Sequence, residues 1–125
     1  MAIPKINLTE YQEQCLLVEW LELMHFKFSK LAQDTFTRNW GTKIKNQKSG
    51  VRLGVPDMMI ILPGRLVFIE MKRCKGGTIS EAQRDWITEL NKLPSVTAAV
   101  CHGFEEAKTT IEKILNKKRD LEKSC

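Results

Sequence analysis

The sequence predicts an α/β fold in which helices flank a small mixed central sheet, with the element order α-β-β-β-α-β-α. Two nearly continuous apolar runs, separated by a Pro-Gly turn signal, are typical of strands covered on both faces. Two capping boxes, each followed by an amphipathic stretch, predict helices before and after these strands. A length of 125 residues fits one domain, which we place at residues 1–125 with a core of about 9–115.

The first helix is predicted to begin after Thr9, which forms a capping box with Gln12, and to run to about Met24. Its helical spacing places one stripe toward the core and another toward solvent. The inward stripe consists of Leu17, Leu21 and Met24, and the solvated face of Gln12, Glu19 and Glu22. The segment from Phe26 to Thr37 contains alternating apolar residues, which favours a strand.

The middle of the chain is predicted to form a hairpin preceded by a long irregular segment. The polar stretch from Arg38 to Arg52 includes two glycines and indicates a loop or an irregular hairpin. The apolar runs Val55 to Ile61 and Leu66 to Met71 are the two strands of the central hairpin. Pro63-Gly64 is the turn between them.

The C-terminal part is predicted to add a helix, a strand and a last helix. Gly76-Gly77 interrupts the chain, and a capping box from Ser80 to Gln83 opens a helix that runs to about Leu93. Val96 to Cys101 has the composition of a short buried strand. Apolar residues at helical spacing predict a final helix that ends at Leu115, and residues 116–125 are expected to fray into solvent.

The composition excludes several classes of protein. Hydrophobic residues make up 42% and charged residues 28% of the chain, which is typical of a globular domain and excludes disorder of the whole chain. No apolar run approaches the ~20 residues of a membrane helix, and the N-terminus lacks the apolar core of a secretory signal. We therefore expect a cytoplasmic protein, either in a bacterial or phage-infected cell or otherwise intracellular. We expect neither a membrane partner nor a small-molecule cofactor.

The charge balance favours a polyanionic partner. The formal net charge is +5 and the isoelectric point is near 9.1, although this excess alone is a weak signal. The four cysteines show no CxxC spacing, and neither histidine completes a zinc pattern with them. We interpret them as reduced thiols, two or three of which fill the core.

Three polar residues, Asp57, Glu70 and Lys72, interrupt the otherwise apolar central hairpin. A two-residue turn at Pro63-Gly64 places Asp57 directly opposite Glu70 on the neighbouring strand. Lys72 then lies on the same face of the sheet. A longer loop would shift the register by a residue or two, so that Asp57 and Glu70 would be diagonal neighbours. Two adjacent carboxylates repel each other unless a cation neutralises them, and Lys72 or a divalent cation such as Mg²⁺ or Mn²⁺ can do so. The alternative interpretation is a surface ion triad on an edge hairpin.

The motif Pro56-Asp57, followed by Glu70-Met71-Lys72, matches the PD-(D/E)xK nuclease signature. The surrounding sequence resembles one branch of that superfamily, the virus-type replication-repair nuclease (VRR-NUC) domain. The resembling segments are Glu10-Tyr11-Gln12-Glu13-Gln14, Gly54-Val55-Pro56-Asp57, Phe68-Ile69-Glu70-Met71-Lys72 and Gly77-Thr78-Ile79-Ser80 with Gln83. The PD…ExK pattern alone is permissive, but the ordered set from about Glu10 to Leu115 is specific. The resemblance implies a restriction-endonuclease-like core.

The resemblance also implies a role for each matching residue. The implied metal ligands are Glu10, Asp57, Glu70 and the carbonyl of Met71, the catalytic lysine is Lys72, and Gln83 lies near the scissile phosphate. Glu13 is one helical turn from Glu10 and is the alternative ligand, while Glu10 can instead complement the helix dipole. Gln83 is also the N3 residue of a capping box, and that role alone would explain its presence.

A basic segment precedes the acidic motif and is predicted to contact DNA. No acidic residue occurs from Thr35 to Pro56, and Trp40 lies among five positive charges. The predicted DNA-binding residues are Arg38, Lys43, Lys45, Lys48 and Arg52, together with Arg73 and Lys75 near the implied metal site. This pattern is more consistent with phosphate contact than with an ordinary solvated face. No base-reading motif occurs, which favours recognition of backbone shape.

The resemblance implies a Mg²⁺- or Mn²⁺-dependent, structure-selective DNA endonuclease. Standalone members of the family are associated with homodimers that cut branched DNA such as Holliday junctions, a DNA-repair activity. One small domain carries one site, whereas symmetric cleavage of a junction needs two. A nuclease of flaps or duplex ends is an alternative. A non-catalytic nucleic-acid-binding module is another, and the intact set of Asp57, Glu70 and Lys72 argues against it.

Overall fold

The structure is a computed structural model that describes residues 7–31 and 40–123. In chain order its elements are α1 (Glu10–Leu23), β1 (Lys27–Lys30), α2 (Trp40–Lys48), β2 (Met58–Leu62), β3 (Arg65–Lys72), α3 (Glu81–Asn91), β4 (Val96–His102) and α4 (Phe104–Lys123). The predicted α/β class is confirmed, and α2 is an addition to the predicted order. No helix within these residues is both long enough and apolar enough to cross a bilayer.

Within the described residues, four strands form one mixed sheet in the order β1-β2-β3-β4. The first three strands pair antiparallel, whereas β4 pairs parallel to β3 after the α3 crossover. Leu62 pairs with Arg65 across Pro63-Gly64, so the predicted two-residue turn is confirmed. Gly64 has a positive φ, +71°, at the second position of the turn, the position at which a turn with proline before it favours glycine. The same register, continued beyond Met58, brings Asp57 next to Glu70.

One face of the sheet carries the hydrophobic core beneath α1 and α4. Its buried side chains are those of Met58, Ile60, Leu62, Val67, Ile69, Met71 and Cys101. Leu17 and Leu21 of α1 are fully buried against it, as predicted. The prediction for Met24 was wrong, since 45% of this residue is exposed. Met24 is the C-cap that follows α1, and His25 with φ +60° then turns the chain toward β1.

The opposite face of the sheet is covered only in part, so the prediction that both faces are buried was wrong for β2. Ile61 is 47% exposed and Met59 is half-buried. Helix α3 packs against β4, where the side-chain amide of Asn91 bonds to both the N–H and the carbonyl of Ala98. Because α3 lies along the β4 edge of the sheet, it leaves the apolar residues of β2 partly exposed to solvent.

Helix α2 occupies part of the segment that was predicted to be a loop, so that prediction was wrong from Trp40 to Lys48. Lysine and glutamine are good helix formers, and no proline interrupts the segment. Gly50 ends the turn after the helix with φ +102°, and the N–H groups that follow the helix bond back to its last carbonyls. None of residues 41–48 is buried, so the apolar stripe on which helix prediction depends is missing.

The ends of two other elements differ from their predicted positions. β1 ends at Lys30, whereas the predicted strand continues to Thr37, and residues 32–39 lie outside the described part of the chain. Helix α4 continues to Lys123, well beyond the predicted end at Leu115. Helical structure therefore extends through most of the segment that was expected to fray.

The cysteines of the described residues are free thiols in different environments. Cys101 belongs to the core, Cys15 is half-buried and Cys74 is exposed, while Cys125 lies outside the described residues. Burial raises the pKa of the Cys101 thiol to about 11. Cys101 therefore acts as a small apolar residue of the core.

Candidate active site

Asp57 and Glu70 lie together at the open end of the β2–β3 hairpin. The backbone N–H of Asp57 donates to Glu70 Oε2 at 3.1 Å, and the N–H of Met71 donates to Asp57 Oδ2 at 3.0 Å. Each carboxylate is therefore held by the backbone of the segment that carries the other one. Glu70 is only 3% exposed and Asp57 is half-buried. The structure thus brings together the two acids that the hairpin register predicted.

Lys72 and Gln83 complete the cluster around Glu70. Lys72 Nζ lies 3.6 Å from Glu70 Oε1, and its side chain is 14% exposed. Gln83 Nε2 donates to the same Glu70 oxygen at 2.5 Å, while Gln83 Oε1 accepts from the N–H of Ser80 at 2.9 Å. The two interpretations of Gln83 are therefore compatible, because one end of its amide caps α3 and the other contacts the site.

Burial raises the pKa values of both carboxyl groups of the pair. Burial and the nearby charge of Asp57 raise the pKa of Glu70 to about 7, against the smaller opposite effects of Lys72 and of the N–H of Asp57. Burial also raises the pKa of Asp57, opposed by the N–H of Met71 and by the charges of Lys72 and Lys30. Two adjacent carboxylates, one buried and one half-buried, favour a bound proton or a bound cation near neutral pH.

The structure distinguishes the two acids of α1 that the sequence left as alternatives. Glu13 is 7% exposed, and its Oε2 accepts from the N–H of Phe104 at the start of α4 at 2.5 Å. Its Oε1 accepts from Cys74 Sγ at 3.6 Å. Glu10 is exposed in the first turn of α1, and its charge contributes to the raised pKa of Glu70. Glu13 therefore connects α1 to α4 by a hydrogen bond. Of these two α1 acids, Glu10 is the one whose charge raises the pKa of Glu70.

We expect Glu13→Ala to lower the free energy of unfolding by about 1–3 kcal/mol, because the partly buried N–H of Phe104 loses its acceptor. Chemical denaturation followed by circular dichroism measures this change. Glu19→Ala, on the solvated face of the same helix, is the matched control and should change stability by less than about 0.5 kcal/mol. Equal stabilities for the two variants would contradict a stabilising role for the Glu13 hydrogen bond.

The donor set at the hairpin end fits a hard divalent cation. Asp57 and Glu70 offer carboxylate oxygens, which Mg²⁺ and Mn²⁺ prefer as ligands. Met71 can add only backbone atoms, since its side chain is fully buried in the core. Within residues 7–31 and 40–123, no three side chains of His, Cys, Asp or Glu are grouped so that they could hold a metal ion. The roles of Glu10 and Met71 as metal ligands therefore stay predictions.

Two residues near the site have roles that sequence reasoning missed. Gly54 has φ +91°, and a Cβ there would lie 2.5 Å from the carbonyl carbon of Ala82, so it packs directly on α3. The resembling motif includes Gly54, but nothing in the sequence shows what it contacts. Lys30 is the last residue of β1, and its positive charge acts to lower the pKa of Asp57. The N–H of the next residue, Leu31, donates to the Asp57 carbonyl at 2.7 Å. A single lysine at the end of a short strand carries no sequence signal.

The predicted DNA-binding residues fall into two groups. The first group, Arg73 and Lys75, follows β3 and lines a small hollow beside Thr9, just before α1. The second group contains Lys43, Lys45 and Lys48 of α2 and Arg52 after it, while Arg38 lies outside the described residues. Arg52 Nη1 donates to the carbonyls of Gln47 and Val51 at 3.1 Å each. Part of the Arg52 guanidinium therefore stabilises the end of α2.

Solved protein structures share this fold, and two of them show the extent of the likeness. One, described as a VRR_NUC domain protein, has a TM-score of 0.69 and 22% sequence identity, and the match covers 86% of this chain and 88% of that chain. Another, described as a VRR_NUC domain, has a TM-score of 0.61 and 22% identity, over 84% of this chain and 97% of that chain. At such identities the likeness establishes the fold alone. A comparison with curated proteins found no match.

The sequence itself matches the family model of the VRR-NUC domain over residues 2–105. This match includes α1, the β2–β3 hairpin, α3 and β4, which are the elements that surround Asp57 and Glu70. The sequence motifs, the fold and the family model therefore agree. The chain belongs to the VRR-NUC domain family of nucleases.

Proposed function

We propose that this chain is a Mg²⁺- or Mn²⁺-dependent endonuclease that hydrolyses phosphodiester bonds in branched DNA such as Holliday junctions. The observation that carries the proposal is the pair formed by buried Glu70 and half-buried Asp57, with Lys72 Nζ 3.6 Å from Glu70 Oε1. Paired carboxylates with raised pKa values attract a divalent cation, and the adjacent lysine offers a positive charge to a phosphate. We further propose that the protein acts in the cytoplasm as a DNA-repair enzyme.

Each residue of the site has a task in the proposed reaction. Asp57 and Glu70 would hold the cation, and Gln83 keeps Glu70 in place through the hydrogen bond to Oε1. A divalent cation held there would supply Lewis-acid chemistry, activating water and neutralising charge on the phosphate. Lys72 orients the attacking water or stabilises the negative charge that develops on the phosphate in the transition state.

The basic residues support contact with the DNA backbone. The lysines Lys43, Lys45 and Lys48 are exposed on α2, a helix that contains no acidic residue. Arg73 and Lys75 form a second positive region, directly after Lys72. Phosphate contacts position a protein on nucleic acid without reading its sequence. Both groups of basic residues are suited to contact with phosphates of the DNA backbone.

Cleavage of a labelled four-way junction tests the proposal most directly. Linear duplex and flap substrates of the same sequence serve as controls, with Mg²⁺, Mn²⁺ or a chelator in each reaction. We expect the junction to be cut fastest and the chelator to stop all cleavage. Faster cleavage of the flap or the duplex end would contradict the proposal that junctions are the preferred substrate. The protein would then be a nuclease of flaps or duplex ends. Binding without cleavage in either metal would indicate a non-catalytic binding module.

Replacing Lys43, Lys45 and Lys48 together by glutamine should weaken binding to all DNA shapes by similar factors. Because these exposed lysines neutralise phosphates in our proposal, the slope of log affinity against log salt should fall by about 0.9 for each duplex phosphate that is no longer neutralised. Fluorescence anisotropy over a range of salt concentrations measures both effects. The matched control replaces Lys108, Lys113 and Lys117 of α4. Weaker binding to one DNA sequence only would instead indicate base reading by α2.

We expect the protein to be a homodimer in solution, because a twofold axis places two identical sites on symmetry-related strands of a junction. The interface should bury more than about 1,000 Å² in total. Helices α1 and α2 are the surfaces to examine, since Leu23 is 76% and Ile44 is 49% exposed. Light scattering at micromolar concentration should report twice the 14.4 kDa of one chain. A single-chain mass, unchanged by junction DNA, would favour flap or end cleavage.

A further inference from the structure

The segment between α2 and β2 packs tightly against the first turn of α3. A Cβ on Gly54 would lie 2.5 Å from the carbonyl carbon of Ala82 and 2.8 Å from the backbone nitrogen of Gln83. Only glycine allows two backbones to approach this closely. Asp57 follows shortly after, behind the fully buried Pro56. The position of Asp57 therefore depends on where this segment rests on α3.

Trp86 holds the same segment against α3 by a hydrogen bond. Its Nε1–H donates to the carbonyl of Leu53 at 3.1 Å, directly before Gly54. Trp86 lies about one helical turn after Gln83, whose side chain bonds to Glu70. Helix α3 thus contacts both sides of the carboxylate pair. It reaches Glu70 through Gln83 and the approach to Asp57 through Trp86.

We propose that Trp86 is a positioning residue, which keeps Asp57 beside Glu70 through its hydrogen bond to Leu53. The inference rests on the proposed metal-dependent function and assigns to α3 the role of holding both carboxylates for one cation. Removal of the bond leaves every acidic side chain present but releases the segment that leads to Asp57. Cation binding should therefore weaken, whereas DNA affinity should not, because the basic residues are unchanged.

Trp86→Phe tests this role, since it removes the N–H donor and keeps an aromatic ring. We expect the Mn²⁺ dissociation constant of the DNA-free protein, measured by titration calorimetry, to rise about three- to tenfold, as for the removal of one hydrogen bond. The Mg²⁺ concentration for half-maximal cleavage should rise by a similar factor, and the rate at saturating Mg²⁺ should recover. DNA affinity measured in a chelator should stay at the wild-type value.

Trp20→Phe is the matched control. Trp20 packs edge-on against Phe26 and Phe104, with ring centroids 6.1 and 6.4 Å apart, and it should be replaceable without any effect on Mn²⁺ binding. Gly54→Ala is a second test variant, because the added methyl group pushes the same segment away from α3 and should also weaken Mn²⁺ binding. Circular dichroism and thermal melting identify which variants are folded, and either folded variant suffices for the test.

The possible outcomes separate this inference from the proposed function. Unchanged Mn²⁺ affinity in folded Trp86→Phe, with a wild-type protein that binds Mn²⁺ and cuts DNA, would overturn the positioning role alone. Equal weakening in Trp86→Phe and Trp20→Phe would reflect a general loosening of the packing and would also overturn it. A wild-type protein that neither binds Mn²⁺ nor cuts DNA would overturn the proposed function and this inference together.

Discussion

Replacement of Asp57 by asparagine is expected to slow DNA cleavage at least about a hundredfold, with DNA affinity within about twofold of wild type. The amide lacks the negative charge that attracts the cation. Its oxygen can still accept the N–H of Met71, so the hairpin geometry is kept. The basic residues of α2 and those after β3 are not changed. Single-turnover cleavage and DNA binding in a chelator measure the two quantities separately.

Asp85→Asn is the matched control for this experiment. Asp85 is an exposed carboxylate on α3, so the same chemical change there should leave cleavage near the wild-type rate. Thermal melting of both variants shows whether the fold is retained. Full activity of Asp57→Asn in saturating Mg²⁺ would contradict the assignment of Asp57 as a metal ligand.

A second large effect is expected in the metal-free protein, whose stability should fall as pH rises because of Glu70. The folded-state pKa of about 7 lies above the ordinary value of 4.5, so the folded state binds the proton more tightly than the unfolded state does. The resulting stabilisation is complete below about pH 4.5 and is lost as the pH rises through about 7. At higher pH the decrease in stability should amount to at most about 3 kcal/mol.

Glu70→Gln isolates this contribution, because the amide does not titrate. In a chelator, the variant should be more stable than wild type above about pH 7, and this advantage should disappear toward about pH 4.5. Denaturant titrations across this range measure the difference in free energy of unfolding. At high pH, Mn²⁺ should stabilise the wild type much more than Glu70→Gln, because the cation takes the place of the proton. Parallel pH profiles for the two proteins would contradict the raised pKa of Glu70.

The features that were predicted correctly from the sequence depend on residues close together in the chain. The capping boxes at Thr9 and Ser80 form as expected, since each needs only a side chain and an N–H three residues apart. The two-residue turn at Pro63-Gly64 sets the register of the hairpin. That register is sufficient to place Asp57 beside Glu70, so the acidic pair follows from the sequence alone.

Other features depend on packing that local patterns do not contain. Helix α2 lacks an apolar stripe because none of residues 41–48 is buried, and its polar composition therefore indicated a loop. Glu10 and Glu13 are chemically identical acids one helical turn apart. The start of α4 distinguishes them. The N–H of Phe104 donates to buried Glu13, whereas Glu10 is exposed.

The sequence by itself determined the fold class, the hairpin register and the pairing of Asp57 with Glu70, because these follow from residue type and short-range geometry. The tertiary structure decided how the acids are held. Trp86 bonds to Leu53 and Gly54 packs on Ala82, although each pair is far apart in the chain. Such contacts arise only when α3 packs against the sheet, and one chain's residue pattern does not specify which distant backbone segments will meet.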